Sequence, residues 1–72
     1  AEQAALFEEL RAVRRHLAAG KPAYTVLSDA TLRDIAVRRP ASLDQLAGVK
    51  GVGPAKLQQY GAAFLAAVAG DG

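Results

Sequence analysis

The sequence predicts an all-α fold. Large apolar residues recur at helical spacing in three separate stretches, and each stretch is bounded by capping residues or by Gly and Pro. The one β-prone run, Tyr24-Thr25-Val26-Leu27, has no partner strand. At 72 residues the chain makes a single domain over 1–72, with a core over 4–69 and 70–72 as a tail or linker. A domain of this size buries only about 60% of the surface its unfolded chain exposes. Of the 37 apolar residues 17 are alanine, so 20 larger side chains must supply the core, which suits closely packed helices and not a deep pocket.

The first helix is expected between Gln3 and Ala19, where Leu6, Phe7, Leu10, Val13 and Leu17 gather on one side, and Gly20 and Pro22 end it. Residues 21–27 read as an extended connector crossing the bundle. Ser28 is a suitable N-cap for a second helix, Asp29 suits its first turn, and Leu32, Ile35 and Ala36 form its buried stripe up to Arg39-Pro40. Ser42-Leu43-Asp44-Gln45 has the capping-box pattern, in which Ser and Gln each satisfy the other's backbone N–H, and opens a brief third helix through Ala47. After Gly51-Val52-Gly53, Pro54 fits the first position of a last helix with Leu57, Tyr60, Phe64, Leu65 and Val68 on one face. Gly61 is placed either to kink that helix or to split it.

Nine Lys and Arg against seven Asp and Glu leave a net charge of +2, far from the strongly basic balance of an obligate nucleic-acid binder, so position must carry any such argument. No run approaches the roughly 20 apolar residues that cross a bilayer. Without cysteine there is neither a disulfide framework nor a thiolate metal site. The chain opens at Ala1 and contains no Met, which suggests a piece of a longer polypeptide or a trimmed product.

Nothing in the chain points to catalysis, a cofactor or a metal. His16 has no second ligand or nucleophile at a useful spacing, and its place near the end of the first helix suits the helix dipole. Glu8 and Glu9 project about 100° apart on a helix and cannot converge as an acid/base pair. Gly51-x-Gly53 lacks the third glycine of a dinucleotide fingerprint, and Pro54 stands where a phosphate-binding loop requires lysine.

A second kind of site fits better. Leu46 to Leu57 joins two helices through a glycine turn like that of a helix-hairpin-helix. Gly51 and Gly53 free the backbone there, so N–H groups at the start of the last helix can approach a phosphate oxygen, with Lys50 and Lys56 on either side. The bland alternative is a plain helical hairpin whose amides are hydrated. On the second helix Asp29 and Arg33, and Asp34 and Arg38, stand four apart and are expected to pair; Arg11, Arg14, Arg15 and Lys21 make a basic end on the first. Tyr24, on the connector, either stacks on an unpaired base, worth about 1–3 kcal/mol, or closes the bundle.

These residues together resemble the HRDC domain, the helicase and RNase D C-terminal module. The matching pattern is Leu6-Phe7-x-x-Leu10-Arg11, Tyr24 through Leu32, Arg39-Pro40, Gly51-Val52-Gly53, Lys56-Leu57, Tyr60-Gly61 and Phe64-Leu65, spanning Leu6 to Val68. The runs Ser28-Asp29-Ala30-Thr31-Leu32 and Gly51-Val52-Gly53-Pro54-x-Lys56-Leu57-x-x-Tyr60-Gly61 are more like those of bacterial RecQ helicases than of RNase D. The resemblance implies a compact five-helix bundle. It also implies an accessory module of an ATP-dependent DNA helicase, tuning substrate binding and unwinding in repair and recombination, and so a cytoplasmic, nucleoid-associated parent. The expected partner is single-stranded or junction DNA, bound weakly by a monomer through Arg15, Lys21, Tyr24, Lys50, Gly51, Gly53 and Lys56. The near-neutral charge leaves a rival: a module that docks on other domains of the helicase.

Overall fold

The computed structural model describes residues 2–71. Four α-helices run in the order α1 (Glu2–Ala18), α2 (Asp29–Arg38), α3 (Leu43–Ala47) and α4 (Pro54–Asp71), with a single 3-10 turn, Ala23–Thr25, between the first two. There is no strand among the described residues. The expected fifth helix is therefore absent as an α-helix. Only seven residues separate Gly20 from Ser28, and Pro22 supplies no N–H, so the connector closes one turn: the Thr25 N–H donates to the Pro22 carbonyl and that of Val26 to Ala23, both at 3.0 Å.

α1 packs against α2, α4 and the 3-10 turn, and α3 packs against α4. The core between them holds Leu6, Leu10, Val26, Leu32, Ile35, Leu46, Val49 and Phe64, all essentially inaccessible, with Phe7, Val13, Leu17, Leu57, Tyr60 and Leu65 packed around it. The helical stripes thus point where their spacing requires. The connector and the glycine turn contribute as well, through Val26, Leu27, Val49 and Val52.

The ends of the elements follow from local chemistry. α1 stops where Ala19 and Gly20 turn left-handed, at φ 51° and 90°. Ser28 caps α2 by accepting from the Thr31 N–H at 3.2 Å, and Arg39, left-handed, closes it by donating its N–H to the Ile35 carbonyl at 2.8 Å. Ser42 likewise caps α3 by accepting from the Gln45 N–H. The reciprocal half of that box differs from expectation: Gln45 Oε1 accepts from Ala41, one residue before the cap, at 2.7 Å.

Gly61 does not split α4, which runs as one helix from Pro54 to Asp71. It is buried against α3, and a Cβ there would lie 2.9 Å from Leu43 Cδ2 and 3.3 Å from Leu57 Cδ1, so its bare backbone is what lets α3 sit close. α4 also continues through Gly70 and Asp71, where a tail was expected from Gly70, because extending an existing helix adds one hydrogen bond per residue fixed. Gly72 lies outside the described residues.

Candidate nucleic-acid interface

Three of the expected contact residues come together at one corner. The 3-10 turn lifts Tyr24 away from the core, leaving it 76% exposed, with Lys21 exposed just before it. α4 begins beside this turn, because Lys56 Nζ donates to the Thr25 carbonyl oxygen. Lys56 also stands over the Tyr60 ring, 5.8 Å from its centroid. It is half-buried and engaged, where the sequence suggests a free cation. Gly53, Pro54 and Ala55 at the start of α4 are exposed, and the helix has no acidic residue in its first turn.

Lys50 and Gly51 belong to a neighbouring arrangement that the sequence does not advertise. Thr31, in the first turn of α2, donates its hydroxyl to the Lys50 carbonyl at 3.2 Å, and its oxygen lies 3.0 Å from Ser28 Oγ. Gly51 adopts φ 98°, and any Cβ there would collide with Thr31 Oγ1. Of the two glycines, then, only Gly51 is required by backbone conformation; Gly53 faces open space. The Lys50 side chain is exposed and lines a groove of about 320 Å³ with Ser28, Ala30, Thr31, Asp34 and Gly51, so a carboxylate shares its surroundings. Arg15 is exposed on the last turns of α1. The side chains of Arg15, Lys21 and Lys50 make no hydrogen bond or ion pair with other described residues.

Arginine pairing departs from the sequence reading. Arg14, grouped there with a solvent-facing basic end, is 7% exposed and donates to the Leu27 carbonyl at 3.0 Å and to Asp29 Oδ1 at 2.7 Å. Asp29 is thereby taken from Arg33. The Arg14 hydrogen bond and charge hold the Asp29 carboxyl below its ordinary value, with smaller help from Arg11 and Arg33. Arg33 lies instead over the Phe7 ring at 5.2 Å, with Arg11, itself paired to Glu8, at 5.9 Å. Helical spacing shows which partners are possible on one helix; it carries no signal for a pair joined across two. The described residues include no cluster of three or more groups able to hold a metal ion, and no helix is long and apolar enough to cross a membrane.

The profile of the HRDC domain family matches residues 3–68. The chain is 45% identical over 62 residues to the ATP-dependent DNA helicase RecQ of Bacillus subtilis, covering 83% of this chain and 10% of that protein. To the protein of the same description from Haemophilus influenzae it is 37% identical over 65 residues, covering 88% and 10%. It thus spans about a tenth of the length of these curated relatives. Among solved structures it superposes on HRDC domain 3 of D. radiodurans RecQ with a TM-score of 0.89 at 38% identity, covering 94% of this chain and 92% of that one.

Proposed function

The chain belongs to the HRDC domain family, and on that premise we propose that it is an accessory module of a bacterial RecQ-type DNA helicase that binds single-stranded or junction DNA weakly and without sequence preference. The observation that carries this reading is Tyr24, a large aromatic ring held out to solvent beside exposed Lys21 and the start of α4. An unpaired base stacks on such a ring whatever its identity. Arg15, Lys21 and Lys50 supply charge for the phosphates, and the amides of Gly51 and Gly53 receive an oxyanion beside the exposed helix start, while that of Val52 is already bonded to the Val49 carbonyl. Catalysis and ATP use lie elsewhere in the parent, and the module follows it to the cytoplasm and the nucleoid.

With two or three phosphates engaged, affinity falls between about 10⁻⁴ and 10⁻⁶ M and declines with salt. Fluorescence anisotropy of a labelled oligonucleotide at several salt concentrations tests this. Binding that ignores salt, or none at millimolar protein, rules the reading out.

A second reading is docking on another domain of the helicase. It is favoured by a groove of about 350 Å³ between α1 and α2, lined by Gln3, Ala4, Phe7, Arg33 and Ala36, and by Val37, 59% exposed on α2. A docking module added in trans to a parent lacking it alters unwinding even when it binds no DNA alone.

A further inference from the structure

We infer that Lys56 serves DNA binding as a positioning residue: its ammonium braces the Ala23–Thr25 turn so that Tyr24 is held ready to stack, and it is not itself a phosphate contact. The inference rests on the DNA-binding reading above.

Lys56 is the third residue of α4, in a first turn that contains no acid. The positive end of the helix dipole disfavours a cation there. Two acceptors offset that penalty. The Thr25 carbonyl oxygen receives a hydrogen bond from Nζ, and the Tyr60 ring, one turn further along α4, offers its face at 5.8 Å. These anchors account for Lys56 being half-buried while Lys21 and Lys50 are exposed.

The turn needs an external brace. An isolated 3-10 turn of three residues has poor hydrogen-bond geometry of its own. Its own bonds are few: the Thr25 N–H and the Thr25 hydroxyl, at 3.0 and 2.7 Å, both end on the Pro22 carbonyl, and the Val26 N–H ends on that of Ala23 at 3.0 Å. Buried Val26 and Leu27 hold the exit of the segment, whereas Gly20, Lys21 and Pro22 at its entrance are exposed. Among the described residues, Lys56 is the one side-chain donor from another element that reaches residues 22–25. A ring fixed before binding loses less freedom when a base stacks on it, by an amount that corresponds to roughly 2- to 12-fold in affinity for one immobilised side chain.

A phosphate contact and a brace differ in salt dependence. Anisotropy of a labelled oligothymidylate is measured across a salt series for the native chain, Lys56→Ala, Tyr24→Ala and the double variant. Lys56→Ala is expected to weaken binding roughly 2- to 12-fold with the salt slope unchanged, and to add little once Tyr24 is gone. A slope flattened by about one unit, as removal of a phosphate contact produces, overturns the inference, as does a full further loss in the Tyr24→Ala background. Backbone ¹⁵N relaxation provides the independent arm. The amides of Ala23 to Thr25 are expected to become more mobile in Lys56→Ala, and unchanged order there overturns the brace whether or not DNA binds. A native chain that binds no DNA while this loosening is still observed leaves the brace standing and removes its DNA role together with the DNA-binding reading.

Discussion

Thr31 fills the space that a side chain on Gly51 would need, and its hydroxyl donates to the carbonyl of the residue just before that glycine. The turn between α3 and α4 is thus locked to the first turn of α2, by a group already positioned by the Ser28 cap. Gly51→Ala carries two penalties: about 1–2 kcal/mol for a left-handed alanine, and loss of a hydrogen bond worth about 1 kcal/mol. Urea unfolding is expected to show a loss of about 2–3 kcal/mol, against less than about 0.5 kcal/mol for Gly53→Ala at a site open to solvent. Equal losses at the two glycines would contradict the assignment.

At Gly61 two effects oppose each other. Alanine improves helix propensity by about 1 kcal/mol, but its Cβ meets Leu43 Cδ2 at 2.9 Å and Leu57 Cδ1 at 3.3 Å. Leu43 is 49% exposed and its tip can swing aside. Gly61→Ala is therefore expected to change stability by less than about 1 kcal/mol, whereas Gly61→Leu displaces α3 and costs about 1–3 kcal/mol as overpacking. Chemical denaturation of both variants distinguishes close approach from simple helix weakening.

The Arg14–Asp29 pair makes stability depend on acid. The folded Asp29 carboxyl titrates below its ordinary value of 3.8, so its contribution is fully present above that value and is lost as pH falls through the depressed one. Asp29→Asn is expected to flatten the acid limb of a stability–pH curve below about pH 4 by lowering neutral-pH stability toward the level the native chain has in acid, a small loss because the Asp29 side chain is 59% exposed. Arg14→Ala is expected to be the more damaging member, because it also unpairs the Leu27 carbonyl and empties a buried position. Arg14→Met, which refills the space, recovers part of that loss.

Tyr24→Ala separates function from folding. With the ring 76% exposed, the unfolding midpoint is expected to be unchanged within about 0.5 kcal/mol. Affinity for single-stranded DNA is expected to fall by about 5- to 150-fold, the equivalent of one stacked base. A variant that binds as the native chain does removes Tyr24 from the interface.

The sequence alone determined the helices, their caps at Ser28 and Ser42, their order and the family, because apolar periodicity, capping residues and proline act within a few residues of one another. It also singled out Tyr24, leaving open which way it faces, and Lys56, which it presented as a free cation. Leu6, Leu10, Leu32, Ile35 and Phe64 enter the core as their spacing requires.

Only the tertiary structure decided partners. Lys56 and Thr25 are 31 residues apart, Thr31 and Lys50 19, and Arg14 and Leu27 13. A hydrogen bond across such intervals leaves no trace in local spacing, since it forms only after buried side chains have drawn the helices together. Packing therefore placed Arg14 inside, gave Asp29 to it instead of to Arg33, kept α4 whole past Gly61, and turned Lys56 inward to the connector that carries Tyr24.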